Sequence, residues 1–194
     1  MNVALLPLLP KGIQFRQRQF RLLKDRHVFD TVNVATSDTT ADYFLSTSSK
    51  KKSQYNFQGD KSLVKEANIF LTVALHAYLR NVRPTVSVWQ TFFEKGSFAF
   101  DVTVPETVRV DEDMLSSITT GPSFEIFNTT NALDVAGAWD RSFQGRRTYL
   151  VGENKIVPGG RAIEFQTKWE ESGGNGLSAA ADLRVIFAGG EYEP

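Results

Sequence analysis

The chain has 194 residues, 41% of them hydrophobic, and its 22 basic and 22 acidic residues give a formal net charge of zero. This composition is ordinary for a one-domain globular protein and excludes wholesale disorder, and the balanced charge does not by itself indicate a nucleic-acid or membrane partner. Cysteine is absent, which excludes disulfides, thiolate catalysis and cysteine-ligated metal sites.

The N-terminal stretch "MNVALLPLLPKG" is apolar but short. It lacks a basic leading region and contains Pro7 and Pro10, so we predict neither a signal peptide nor a membrane span there. No later window approaches the roughly 20 apolar residues that a spanning helix needs. We therefore expect a soluble protein, or one that other contacts hold in an assembly.

Residues 1–30 are predicted to form a basic N-terminal arm. The stretch "KGIQFRQRQFRLLKDR" holds six basic residues against one acid, Asp25, with apolar residues interleaved. Neither helical nor strand periodicity is clean, which favours an extended arm that becomes ordered on a partner. The residues expected to make assembly, phosphate or lipid contacts are Lys11, Phe15, Arg16, Arg18, Phe20, Arg21, Lys24 and Arg26.

Two interpretations of this arm remain open. Its basic residues could contact the phosphates of nucleic acid or an anionic membrane surface. Alternatively, Phe15 and Phe20 pack on the protein's own sheet or on a neighbouring subunit, and the basic residues are solvated. A second basic spot, Lys50 to Lys52, is predicted to be a solvated loop.

Residues 31–194 are predicted to form one β-domain. Residues 31–67 are polar and irregular apart from a strand near "DYFLS", and strand-like runs separated by turn residues follow from Asn68 onward. This succession is typical of an all-β sandwich or barrel. The predicted strands are "IFLTVALHAYL" (where a buried helix is an alternative), "TVSVWQTFF", "SFAFDVTV", "TVRV", "SFEIF", "RTYLV", "AIEFQTKW" and "LRVIFAG", with short helices or ordered loops at Asp111–Ile118 and Asn131–Phe143.

The last two runs alternate apolar and polar residues with a period of two. Ile163, Phe165 and Trp169 share one face of the first run, and Val185 and Phe187 share one face of the second. Gly173, Gly174 and Gly176 supply a permissive backbone between them. We predict a hairpin whose aromatic residues face the core and which carries no reactive group.

Residues that could carry catalysis or bind a metal are sparse. Only His27 and His76 are present, and the sequence contains no H-E-x-x-H motif, nucleophile elbow, P-loop or dinucleotide fingerprint. His76 lies in an apolar run and is predicted to be a packed core residue. We expect no metal, no cofactor, no small-molecule substrate and no enzymatic activity.

Carboxylates and tryptophans support two alternatives to a purely structural role. A pair of carboxylates suffices for glycoside hydrolysis, and the candidates are Glu164 and the trio Asp111 to Asp113. The simpler interpretation is that Glu164 lies on a solvated strand face and the trio begins a helix or lies in a loop. A sugar-binding sandwich could use Trp89, Trp139 and Trp169 to stack on sugar rings, although core packing is the usual role of tryptophan.

The layout of the segments "FFEKGSFAFDVTV", "VPGGRAIEFQTKW" and "LRVIFAGGEYEP" resembles that of the jelly-roll capsid proteins of small tailless icosahedral phages. The resemblance covers residues 68–194. It implies a single jelly-roll β-sandwich with an extended N-terminal arm, and a self-assembling capsid subunit without catalytic residues. The implied partners are copies of the chain and other virion proteins, with nucleic acid or an internal lipid membrane as further partners of the arm, in a virion assembled in the host cytoplasm.

The runner-up function is a carbohydrate-binding or phage tail-type β-sandwich. A glycan-acting enzyme that uses paired carboxylates is the third interpretation. The behaviour of the purified protein distinguishes the three, because they predict particle formation, retention on polysaccharide and turnover, respectively.

Overall fold

The computed structural model describes residues 9–45, 48–57, 62–80, 88, 90–102, 109–118, 149–150, 156–169 and 174–194. Within these residues the protein is built from ten antiparallel strands and almost no helix, which confirms the all-β prediction. The strands are β1 Gly12–Phe15, β2 Arg18–Val34, β3 Thr40–Tyr43, β4 Ile69–Leu79, β5 Gly96–Val102, β6 Arg109–Met114, β7 Tyr149–Leu150, β8 Ile156–Pro158, β9 Ile163–Trp169 and β10 Ala181–Glu193.

The strands form two sheets. Sheet A has the order β1-β2-β10-β4-β7, with β8 pairing β4, and sheet B has the order β3-β9-β5-β6. Every strand pair is antiparallel. The longest pairing joins β2 to β10, from Val34 opposite Ala181 to Arg21 opposite Glu193.

Aromatic side chains fill the space between the two sheets. Phe187 of sheet A lies at the centre, with its ring 5.9 Å from Phe165 and 5.5 Å from Phe100 of sheet B and 5.3 Å from Phe44, which follows β3. All four side chains are buried. The inward residues of β9 follow the predicted alternation, because Ile163, Phe165, Thr167 and Trp169 are buried while Glu164 and Lys168 are exposed.

The prediction of a C-terminal hairpin is wrong. β9 pairs with β3 and β5 in sheet B, whereas β10 pairs with β2 and β4 in sheet A. Phe165 and Phe187 therefore meet across the core from opposite sheets rather than side by side in one sheet. The glycine-rich loop does use the left-handed backbone, with φ of 62° at Gly174 and 76° at Gly176.

Several local predictions are also corrected. Residues 90–93, the end of the predicted strand "TVSVWQTFF", lie instead in a π-helical turn, Gln90–Glu94. The predicted short helix Asp111–Ile118 is divided between the end of β6 and a 3-10 turn at Leu115–Ile118. The run "IFLTVALHAYL" is strand β4 and not a helix. The predicted strand "SFEIF" and the predicted helix or loop Asn131–Phe143 lie outside the described residues.

The N-terminal segment differs from a free extended arm. From Gly12 it is a β-hairpin whose second strand, β2, continues without interruption to Val34. The expected boundary between residues 30 and 31 therefore falls inside β2. Val28 and Val34 of this strand are fully buried in the main core, so much of the expected arm is part of sheet A.

Candidate assembly surface

The β1–β2 hairpin forms one end of sheet A. A two-residue turn at Arg16 and Gln17 connects its strands, and both residues adopt positive φ, 48° and 63°. This backbone matches the twist of a hairpin but is strained for side chains other than glycine or asparagine. The turn holds β1 against β2 from Gly12 opposite Arg21 to Phe15 opposite Arg18.

A second apolar cluster anchors the hairpin. Phe20, Ile69 and Tyr192 are buried together, and half-buried residues, among them Ile13 and Phe15, pack against them. Along β10, Tyr192 has the opposite parity to Phe187, so this cluster lies on the face of sheet A that points away from the main core. The hydroxyl of Tyr192 donates a 2.8 Å hydrogen bond to the carbonyl of Pro10, which fixes the chain just before β1.

Three of the six basic residues of the predicted arm are neutralised within the molecule. Arg26 lies 2.7 Å from the carboxylate of Glu191, Lys24 lies 3.5 Å from it, and Arg21 lies 2.6 Å from Glu193. Glu191 also accepts a 2.7 Å hydrogen bond from the side chain of Asn68. Although burial favours the neutral acid, the hydrogen bonds from Asn68 and Arg26 and the charges of Arg26 and Lys24 hold the pKa of Glu191 below its usual range.

The other three basic residues flank strand β1, with Lys11 before its first residue and Arg16 and Arg18 at the turn. Lys11, Arg16 and Arg18 are exposed, and no carboxylate of the described residues lies within ion-pair distance of them. The Arg16 guanidinium is 5.2 Å from the ring centre of Phe15, and that ring meets Phe20 edge-on at 6.5 Å. The structure thus separates the predicted contact residues into a paired set on β2 (Arg21, Lys24, Arg26), an anchoring residue (Phe20), and a set that has no acidic partner among the described residues and flanks β1 (Lys11, Arg16, Arg18), with half-buried Phe15 at the end of β1.

A loop covers the edge of β2 where β1 does not. The side chain and backbone of Asn56 bond to the backbone of His27 and Phe29, so the loop substitutes for a neighbouring strand. Lys50 anchors this loop, with its Nζ atom 2.6 Å from the fully buried carboxylate of Asp30. Lys50 is therefore not the solvated loop residue that the sequence predicts, whereas Lys51 and Lys52 are exposed.

The outer edge of β1 contrasts with the covered edge of β2. Among the described residues no strand or loop backbone pairs with that side of Gly12–Phe15. An unpaired strand edge is a template for another strand, and proteins usually cover or blunt such edges. This edge could not be predicted from the sequence, for two reasons. Residues 12–15 show no clear strand periodicity, and the acids that neutralise the basic residues of β2 lie far away along the chain.

The candidate residues for sugar chemistry are placed less favourably. Trp169 is buried and its indole N–H donates a 2.9 Å hydrogen bond to the carbonyl of Phe92, so it is a core residue and not a sugar-stacking platform. Glu164 is exposed on the outer face of β9, as the simpler interpretation expected. The side chains of Asp111 to Asp113, and both Trp89 and Trp139, lie outside the description.

Among the described residues no three histidine, aspartate or glutamate side chains are placed to hold a metal ion. No helix among those residues has the length and apolar character needed to cross a membrane.

Comparison of the chain with protein-family models, curated proteins and solved structures finds no match.

Proposed function

We propose that this protein is a self-assembling structural subunit of a virion shell and that its two sheets form a jelly roll. The two sheets and their strand order are observed. The virion role is an inference from the fold and its sheet edges. Since one fold can serve many functions, the proposal depends on what the sheet edges and surfaces can do.

The order in which the strands pair supports the proposal most directly. With the short additions β1 and β8 set aside, β2 pairs with β10, β3 with β9, β4 with β7, and β5 with β6. Among the strands that the structure describes, the first thus pairs with the last, the second with the next to last, and so on inward. This is the pairing of one long antiparallel hairpin rolled around a core, as a jelly roll requires, and jelly rolls are common among viral capsid and lectin domains.

The surface supports assembly over ligand binding. The outer face of sheet B presents polar or charged side chains, such as Asp42, which accepts a 2.7 Å hydrogen bond from Gln166. Trp169, one of the three residues on which sugar stacking depended, is buried in the core. The basic residues that flank β1, and the edge of β1 that no described strand or loop pairs with, are instead features that suit binding of another macromolecule.

Sizing and imaging of the purified full chain test the proposal. We expect concentration-dependent particles or rings on a sizing column, visible as closed assemblies by negative-stain electron microscopy. A protein that stays monomeric at every concentration and ionic strength tried would contradict a shell subunit. Retention of that monomer on a polysaccharide column would favour the carbohydrate-binding alternative, and hydrolysis of a glycan would favour the enzyme.

A further inference from the structure

We propose that strand β1 of one copy pairs with strand β6 of a second copy, so that the subunits join head to tail through their two sheet edges. The inference rests on the proposed function, because it specifies the contact through which the shell subunit would associate. Its partner is a second copy of this chain, and its chemistry is backbone hydrogen bonding between edge strands together with opposite charge.

The first edge is basic. Strand β1 is flanked by Lys11 on one side and by Arg16 and Arg18 on the other, and residues 11–18 contain no acid. These three side chains are exposed. The tight turn and the second apolar cluster hold β1 in place before any partner binds. This reduces the conformational entropy that β1 loses on docking.

The second edge is acidic. Strand β6 ends sheet B, and among the described residues only β5 pairs with it. Its six residues, Arg109–Met114, include Asp111, Glu112 and Asp113. An edge strand that is rich in acids suits a basic edge strand, because opposite charges on adjacent strands stabilise their pairing and like charges oppose it.

The two edges belong to opposite sides of the sandwich. β2, the neighbour of β1, contacts β3 at one edge of sheet B, and β6 is the strand at the other edge of that sheet. The two edges of one copy therefore cannot meet each other. A contact between two different surfaces is heterologous and generates rings when its rotation closes. Pairing of β1 with β1 of another copy would bring basic residues against basic residues, which disfavours the two-fold alternative.

Cross-linking tests the contact directly, because the chain contains no cysteine and any introduced thiol is unique. The exposed residue Gln14 of β1 is replaced in one protein by Gln14→Cys. Two partner proteins carry Arg109→Cys or Val110→Cys. These neighbours lie in the regular part of β6, opposite Asp101 and Phe100 and before the register shift at Asp111 and Glu112, so they point to opposite faces and one of the two is then within reach. A matched control carries Lys168→Cys, an exposed position on β9 away from both edges.

Each pair of proteins is mixed, assembled and treated with a short bis-maleimide. We expect covalent dimers when Gln14→Cys is mixed with a β6 variant, and few with Lys168→Cys or with any single variant alone. Assembly without the β1–β6 product, or with an equally strong Gln14→Cys self-product, would overturn this contact while leaving the shell function standing. A wild-type chain that never assembles would overturn the shell function, and the contact with it.

Charge exchange provides a second readout that does not depend on cross-linking geometry. The double variant Arg16→Glu and Arg18→Glu should weaken self-association by roughly tenfold, and so should Asp111→Lys with Asp113→Lys. Joining the four substitutions in one chain should restore association. Equal association of all variants and the wild type would overturn the inference. If self-association instead depends on added nucleic acid or anionic vesicles, and not on the charge of β6, the inference is also overturned, in favour of a phosphate-bearing partner.

Discussion

The Nζ atom of Lys50 lies 2.6 Å from both carboxylate oxygens of Asp30, which is fully buried. The same carboxylate accepts hydrogen bonds from the backbone N–H groups of Phe44, at 2.7 Å, and Thr31, at 2.8 Å. One buried charge thus joins strand β2, the residue that follows β3, and the loop that covers the edge of β2. The pair is expected to hold that loop in place.

Replacing the cation of this pair should be strongly destabilising. Lys50→Met leaves the Asp30 carboxylate buried without its counter-charge, and loss of one partner of a buried pair costs about 3–5 kcal/mol of unfolding free energy. Urea denaturation followed by tryptophan fluorescence measures the change. The exposed neighbour provides the control, since Lys51→Met should change stability by less than about 0.5 kcal/mol. Equal effects at the two positions would show that the ion pair does not stabilise the fold.

Acid should destabilise the protein through Glu191. Its pKa in the folded state is held below the ordinary value of 4.5, so the unfolded state binds the proton first. The stabilisation is then fully present above pH 4.5 and is lost as the pH falls through the folded-state pKa. Glu191→Gln should be less stable at neutral pH and show a shallower fall of the unfolding free energy in acid. An unchanged slope would indicate that other carboxylates dominate acid unfolding.

Truncating the buried indole of β9 should create a large cavity in the core. Trp169→Ala is expected to cost about 3–5 kcal/mol of unfolding free energy. Trp169→Phe should cost less but still lose the hydrogen bond to Phe92, worth about 1 kcal/mol. Thermal denaturation compares these variants with Lys168→Ala at the exposed neighbouring position. An unchanged melting temperature for Trp169→Ala would contradict its placement in the core and revive the sugar-stacking interpretation.

The buried hydroxyl of Tyr43 predicts an effect of the opposite sign. The Thr167 side chain lies near enough to lower the pKa of this hydroxyl, but no group among the described residues makes a well-formed hydrogen bond with it. Tyr43→Phe should therefore be neutral or stabilising. Burial is the larger effect and raises the pKa of Tyr43 above the ordinary value of 10.0. The unfolded state then loses the proton first, and stability that is complete below pH 10.0 falls as the pH rises above it.

The Tyr43→Phe variant should therefore resist alkaline unfolding better than the wild type, as followed by circular dichroism. Tyr43→Ala is the matched comparison, because it removes the ring as well and should be strongly destabilising. Faster alkaline unfolding of Tyr43→Phe would mean that the hydroxyl has a partner in the folded protein.

The regular strands were predictable because their periodicity is local. In β9 the buried positions alternate strictly, and in β10 they alternate from Ala181 to Phe187, so these burial patterns follow the sequence; from Phe187 to Tyr192 every residue of β10 is buried. Strand β2 concealed its period for two reasons. Leu23 is an extra residue at a bulge opposite Glu191 and Tyr192, which reverses the parity of the strand. Beyond the bulge, Arg26 and Asp30 occupy inward positions. Charged residues at such positions do not predict a strand unless their partners, Glu191 and Lys50, are known.

Strand partners were less predictable than strands. A period of two shows that Phe165 and Phe187 point into a core, but it does not show whether their strands share a sheet or face each other. That choice depends on pairings with β2, β3, β4 and β5, which are distant in sequence. The ion pairs of Glu191, Glu193 and Lys50 were missed for the same reason, since their partners lie far away along the chain.

The position of β10 between β2 and β4 has a consequence for the order of folding. Both neighbours leave the ribosome well before β10 is synthesised, so the centre of sheet A is completed by a strand that arrives late. Until then, β2 and β4 expose the edges that will pair with it and the apolar side chains that will face the core. Closure must bring together segments separated by most of the chain, which slows folding and lengthens the time during which nascent chains can aggregate. Production at low temperature or with chaperones should therefore raise the yield of folded protein.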